Sequence, residues 1–184
     1  MSVAVFGSIN MDVTAYMDRL PKPGETLHGR EYKLGLGGKG ANQAVAARKL
    51  GSQVAFIGRI GADDFGQAAA RELESYGVDL SLVARDSGGA TGLAIINVGE
   101  GGENYISLIG GGNLRLDHSD VERARAALED ADVLLLQLEV PLTQSLAAAE
   151  EIANAVVFLA SDAASFIAGA NIVVDGTLTR RIQL

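Results

Sequence analysis

Short apolar runs separated by glycine and polar punctuation set the rhythm of this chain. Val3–Phe6 is continuously apolar and stops at Gly7-Ser8, as a buried strand does. Val13–Tyr16 predicts a second strand, Leu20-Pro21-Lys22-Pro23-Gly24 a turn, and Tyr32–Leu34 another short strand. The spacing of Ala44, Val45, Ala47 and Leu50 predicts a helix from Ala41, stopped by Gly51. Val54–Ile57 reads as a strand. Asp63 or Asp64 can cap a helix through Leu73 that Gly77 terminates. Both helices are thus followed by a glycine, the residue that tolerates the left-handed backbone of a helix end.

Thr91–Val98 and Asn104–Ile109 flank Gly99-Glu100-Gly101-Gly102 and predict a hairpin. Ser119-Asp120-Val121-Glu122 has the form of a capping box for a helix to about Leu128. Val133–Leu138 is apolar except for Gln137, which suits a central parallel strand covered on both faces. Thr143 can cap the next helix, where Leu146, Ala149, Ile152, Val156 and Leu159 keep helical spacing, and Ala170–Val174 is a last short strand. The order is mostly strand–helix with one hairpin inserted, which predicts an α/β fold on a mainly parallel sheet. No repeat, low-complexity stretch or clear linker interrupts it.

Composition narrows the function classes. The 184 residues carry 15 Lys+Arg against 23 Asp+Glu, a net charge of −8. That balance argues against nucleic acid as the main partner, because phosphate backbones need a basic face, but leaves room for a small ligand in a local site. Hydrophobic residues reach 48%, enough for a core. The absence of cysteine removes disulfides, thiolate metal sites and cysteine nucleophiles. The start of the chain lacks a basic leader, and its apolar runs are too short to cross a bilayer, so no membrane role and a cytoplasmic location are expected.

The strongest candidate for chemistry is Gly37-Gly38-Lys39-Gly40-Ala41-Asn42-Gln43, placed at a helix start. Free backbone N–H groups and the positive end of the helix dipole favour an oxygen-rich ligand there, and Lys39 and Asn42 add donors. Tight packing is the competing reason for the glycines. The loop fails as a Walker motif, because Lys33 stands where the first glycine belongs and Gly40 follows Lys39. Gly35-Leu36-Gly37-Gly38-Lys39-Gly40 fits GxGxxG, but the polar–apolar alternation of Glu31–Leu34 is wrong for the buried strand that fingerprint follows. Asn10 and Asp12 come just after the first strand and Glu139 just after Val133–Leu138, where α/β sheets collect ligands. Convergence of Asn10, Asp12, Lys39, Asn42 and Glu139 would form a pocket rich in hydroxyl-binding groups. His28 and His118 lie in predicted loops without metal spacing. Asp63-Asp64 and Glu150-Glu151 read as helix-start or solvated charges.

Gly7-Ser8-Ile9-Asn10-Met11-Asp12, Pro23-Gly24-Glu25-Thr26 and Gly37-Gly38-Lys39-Gly40-Ala41-Asn42-Gln43-Ala44-Val45-Ala46 resemble the ribokinase-like carbohydrate kinase family. Phe56-Ile57-Gly58, Gly61-Ala62-Asp63-Asp64 and Gln137-Leu138-Glu139 follow in the family's order, so the resemblance covers residues 1–149. It implies a doubly wound α/β sheet with a small β lid, whose strands would come from residues 12–36 and 91–110. It implies that Asn10 and Asp12 bind sugar hydroxyls, that Gly38, Lys39, Gly40 and Asn42 surround the sugar, and that Glu139 touches it. It also implies ribose or a related sugar as the ligand and a homodimer paired through the lid.

The family uses ATP, magnesium and a monovalent cation, held by a further half with an Asp-Thr-x-Gly-Ala-Gly-Asp motif. No Gly-Ala-Gly-Asp occurs in this sequence. The resemblance therefore predicts a truncated, sugar-binding chain that retains no cofactor site and has no catalytic residue or turnover. Residues 150–184 resemble instead the last helix and strand of short-chain dehydrogenases, through residues 151–176, without that family's Tyr-x-x-x-Lys or cofactor loop. The helix–strand tail is expected to pack on the same sheet and complete one strand–helix–strand unit. A non-catalytic interaction or dimerisation fragment and an NAD(P)-dependent reductase remnant are the competing readings.

Overall fold

The computed structural model of the chain describes residues 1–159 and 173–175, and its side-chain detail ends at Glu151. Strands β1 (Ser2–Phe6), β4 (Gln53–Gly61), β5 (Val83–Asp86), β8 (Val133–Leu136) and β9 (Val173–Asp175) form one parallel sheet in the order β5-β4-β1-β8-β9. Helices α1 (Lys39–Lys49), α2 (Asp64–Ser75), α3 (His118–Glu129) and α4 (Leu142–Leu159) accompany it. A second, four-stranded sheet comprises β2 (Asn10–Tyr16), β3 (Glu31–Gly37), β6 (Gly92–Val98) and β7 (Asn104–Ile109) in the order β3-β2-β6-β7. Within it β2 runs parallel to β6, while β3 and β7 are antiparallel to their neighbours.

Alternation along the strands explains why helices cover both faces of the parallel sheet. Val3 and Val5 of β1 join Val54 and Phe56 in a core with Ala41 and Ala44 of α1 and Ala69, Ala70 and Leu73 of α2. Ala4 and Phe6 point the other way, to Ile57, Leu134, Val121, Ala124 and Leu128 of α3 and Ala148 of α4. The alanines and glycines of α1 let it lie close to the strands. This is the doubly wound architecture expected, with the second sheet built from the two segments expected to form the lid.

In the tail, Val173, Val174 and Asp175 stand beside Val133, Leu134 and Leu135 in parallel register. Residues 170–172, also assigned to that strand, lie outside the described residues, as do 176–184. Among the described residues no helix is long and apolar enough to cross a membrane.

Several local expectations need correction. β4 is nine residues long rather than Val54–Ile57, because it also pairs with the unforeseen edge strand β5. β8 ends at Leu136, so Gln137 and Leu138 leave the sheet, and Leu138 is 70% exposed. The cap of α3 is Asp117, not Ser119: Asp117 accepts from the Ser119 N–H, and Asp120 reaches back to the Asp117 N–H at 2.9 Å. His118 is consequently the first residue of α3, 3.3 Å from Glu122, rather than a loop residue. Thr143 lies inside α4, whose first turn bonds to the Pro141 carbonyl through the N–H groups of Gln144 and Ser145.

Candidate functional site

The chain leaves the parallel sheet at Phe6 and enters the lid at Asn10, so Gly7, Ser8 and Ile9 form the seam between the two sheets. The glycine loop packs onto this seam. Gly38 has φ +91°, and a Cβ there would lie 2.7 Å from the Ser8 carbonyl oxygen. A Cβ on Gly40 would lie 2.7 Å from the Ser8 nitrogen. The Ala41 N–H donates to the Ser8 carbonyl at 3.0 Å, and the Gly40 N–H to the Ser8 hydroxyl at 3.3 Å. Close backbone packing is therefore one observed reason for both glycines.

Glu139 arrives from the end of β8 and closes the seam from the other side. Its Oε2 accepts from the Ser8 hydroxyl at 2.6 Å and from the Lys39 N–H at 2.9 Å, and Oε1 is paired with the Lys39 ammonium. A carboxylate thus sits on the first N–H of α1, where the helix dipole favours negative charge. Burial pushes the Glu139 carboxyl up, but the hydrogen bonds from Lys39 and Ser8 outweigh it and hold the group below the usual glutamate range. Lys39 and Glu139, expected to aim separately at a ligand, are here partners of one another.

Asn10 and Asp12 share one face of β2. Asp12 stands opposite Gly35 of β3 and leans over Gly37, where a Cβ would lie 1.9 Å from its Oδ1. Burial, and secondarily the negative charge of Glu139, raise the Asp12 carboxyl above the usual aspartate range. Asn10 is 4% exposed. Its Oδ1 accepts from Asn113 Nδ2 at 2.6 Å, above Gly92 of β6. Asn10 and Asp12 thus stand side by side on one face of β2, and the Glu139–Lys39 pair sits at the neighbouring seam, with the Lys39 side chain 71% exposed; this junction of lid and sheet, termed the hollow, is the candidate site.

Asn42 is exposed on α1 and lines a cleft of about 360 Å³ with Leu36, Lys49, Glu72 and Tyr76. Its side chain makes no hydrogen bond among the described residues, so the structure ties it to the other site residues only through the first turn of α1. A cavity of about 390 Å³ between β4, β5 and α2 contains none of the expected site residues.

Residue-by-residue reading missed the residues that hold the hollow in shape. Ser8 carries no pattern of its own within Gly7–Asp12. Asn113 lies behind the run Gly110-Gly111-Gly112, and Gln137 was read as an interruption of a strand. Gln137 is 4% exposed, donates to Gln43 Oε1 at 2.6 Å, and directs its own Oε1 at the positions where Gly7 and Gly40 would carry Cβ atoms. Asp63 anchors the lid. It caps α2 through the Gly66 N–H and accepts both the N–H and the hydroxyl of Thr91, the residue before β6, at 2.8 and 2.6 Å.

Comparisons with known proteins agree with this architecture. The family model described as pfkB family carbohydrate kinase matches residues 1–170, and so runs past residue 149, the expected end of the resemblance. A ribokinase of Haemophilus influenzae is 42% identical over 142 residues, covering 77% of this chain and 46% of that protein. A deoxyribokinase of Salmonella typhi matches with the same identity and coverage. The structure of Arabidopsis thaliana ribokinase complexed with ribose and ATP superposes with a TM-score of 0.73 at 34% identity, covering 82% of this chain and 49% of that one. The chain therefore spans about half the length of the relatives it matches.

Proposed function

The chain belongs to the pfkB family of carbohydrate kinases, and on that premise we propose that the hollow between lid and sheet binds ribose or a closely related pentose. The observation that carries this reading is the placement of Asn10 and Asp12 on one face of β2, within electrostatic reach of Glu139 at the α1 N-terminus. Neutral hydroxyls suit such a set, because each can donate to a carboxylate while accepting from an amide. Gly38 and Gly40 allow close approach of the main chain, Lys39 contributes charge beside Glu139, and Asn42 is the site residue on the exposed face of α1.

Family relatives bind nucleotide as well: the Arabidopsis thaliana protein is complexed with ATP. The side chains described here do not fit a nucleotide–magnesium complex. Among the described residues no group of three or more His, Asp or Glu side chains is placed to hold a metal ion, and Lys39, the cation at the hollow, is already paired with Glu139. We therefore assign no phosphoryl-transfer step to these residues. The 184 residues by themselves are proposed to bind sugar without turnover.

Isothermal titration tests this directly. Ribose should give a saturable heat that Asp12→Asn abolishes, while ATP gives none. A wild-type chain silent towards ribose, or robust ATP-dependent phosphorylation of ribose by it, would sink the reading.

A second reading, a homodimer formed through the lid, is favoured by one observation. All six residues of β7 are exposed, including Tyr105, Ile106 and Leu108, as are Tyr32 and Leu34 of β3. Light scattering over a range of concentrations should show a dimer that Tyr105→Glu disrupts.

A further inference from the structure

The side chain of Asn113 does more than fill space. It is 2% exposed, on the short 3-10 turn Gly111–Arg115 that follows β7. Its Oδ1 accepts from the Ile9 N–H at 2.9 Å. Its Nδ2 donates to the Ile9 carbonyl at 3.1 Å and to Asn10 Oδ1 at 2.6 Å. A backbone N–H can only donate and a backbone carbonyl can only accept, so Ile9 fixes which end of the Asn113 amide is oxygen. With that end fixed, Asn113 faces Asn10 as a donor, and Asn10 has to answer with its oxygen. Polarity is thus passed from the main chain of the seam, through one buried amide, to the next.

Asn10 Nδ2 is left on the side away from Asn113, and among the described residues nothing accepts from it. Asn10 and Asp12 flank the hollow from one face of β2, beside Gly35 and Gly37 on β3 and Gly92 and Ala94 on β6. Gly92 is required by the device itself, since a Cβ there would lie 2.1 Å from Asn10 Oδ1 and 2.3 Å from Asn113 Nδ2. The glycine run before Asn113 serves the same end. A Cβ on Gly111 would lie 2.4 Å from the Ala90 carbonyl oxygen, and one on Gly112 2.7 Å from that of Arg59.

We propose that Asn113 is a positioning residue that locks the Asn10 amide with its Nδ2 hydrogens facing the ligand, making the site selective for a hydroxyl that accepts from Asn10 beside one that donates to Asp12. This rests on the sugar-binding reading above. The wrong amide orientation would set the Asn10 oxygen near the Asp12 carboxylate, giving two acceptors with no donor between them. Asn113 prevents that without touching the sugar.

The experiment pairs Asn113→Asp with a measurement on the unaltered chain. An aspartate can still accept from the Ile9 N–H but cannot donate to Asn10, so the Asn10 amide should turn over. Ribose affinity should fall at least tenfold by isothermal titration. In the background of Asn10→Ala the same substitution should cost less than threefold, because its target is gone. Equal losses in both backgrounds would reduce Asn113 to a structural residue and overturn the proposal, as would unchanged affinity in the single variant. Should the variant fail to fold, side-chain amide hydrogen exchange in the sugar-free wild-type chain decides. The Asn113 Nδ2 hydrogens should exchange at least tenfold more slowly than those of Asn10, and the reverse order would overturn the proposal. Failure of the wild-type chain to bind ribose would instead remove the sugar reading, leaving the exchange rates to settle the Asn113–Asn10 bond alone.

Discussion

The two sheets of this chain are held by different physics. Four of the five residues of β1 are buried, with apolar side chains sent alternately to the helices on either face. The lid sheet is covered only in part: Met11 and Ala94 are buried and Leu36 and Leu93 pack against the core under α1 and α2, whereas β7 and the first four residues of β3 are exposed throughout. Its strands are joined by backbone ladders, and its base is tied to the parallel sheet by Met11, Leu36 and Leu93 in the shared core and by polar contacts, Asp63 to Thr91 and Asn113 to Ile9. The parallel sheet therefore carries most of the apolar burial and the outer lid little of it. The candidate hollow lies where the two meet, so its side chains answer to both.

If that division is right, the largest effect comes from the parallel sheet. Phe6 is fully buried among Ile57, Leu134, Val121 and Leu128. Phe6→Ala removes a large side chain from a region already packed by two helices and should cost about 3–5 kcal/mol of unfolding free energy. That is a large share of the roughly 5–15 kcal/mol a domain possesses. Urea denaturation measures it, and a loss below about 1 kcal/mol would show that this sheet is not the stabilising unit.

The next effect tests the tie between the sheets. Asp63→Ala removes the cap of α2 and leaves the Thr91 N–H and hydroxyl without their acceptor. A cost of about 2 kcal/mol is expected from the lost cap and hydrogen bonds. Amide exchange should accelerate more in β6 and β7 than in β1 and β4. Uniform acceleration would mean that the lid unfolds with the sheet and is not a separately anchored part.

How much of this was legible in the sequence follows the same division. Val3–Phe6 and the helix spacing of α1 are local patterns, so the parallel sheet and its covering could be read directly. Contacts at the seam join Ser8 to Glu139 across 131 residues and Ile9 to Asn113 across 104, and no spacing rule links such pairs. The positions Asn10, Asp12, Lys39 and Glu139 were found because they sit at strand and helix ends. Their mutual pairing was not. The mistaken cap has a local cause: Ser119-Asp120-Val121-Glu122 is the commoner form of the box, whereas Asp117 with Asp120 uses a shorter acid to reach back. β5 escaped because Val83-Ala84-Arg85-Asp86 is too short to show a period.

A smaller effect sits in the hollow itself. Glu139→Gln should weaken ribose binding about tenfold, the scale of one charged hydrogen bond. It should also lower the Asp12 pKa, because the nearby negative charge that helps raise it is gone. The signs in the wild-type chain are opposed. The depressed Glu139 contributes stability above the ordinary glutamate value and loses it as pH falls through its own lower value. The raised Asp12 opposes folding once ionised, and that cost is relieved as pH falls through its raised value. Carboxyl carbon NMR titration of the wild-type chain and of Glu139→Gln reads the Asp12 midpoint, and an upward move in Glu139→Gln would break the assignment.

The smallest effect belongs to the outer lid and separates exposure from unimportance. Ile106 is 55% exposed on β7, directly opposite Ile96 of β6. In a monomer, Ile106→Ser removes one partly exposed cross-strand pair and should change unfolding free energy by no more than about 0.5 kcal/mol. The main hydrophobic burial is elsewhere, so nothing in the parallel sheet registers the change. If the lid pairs with a second copy, the same side chain is covered, and the loss grows and depends on protein concentration. Melting temperature measured across a hundredfold dilution distinguishes the two. A concentration-independent shift of several degrees would contradict both, because it would mean that the exposed sheet carries stability of its own.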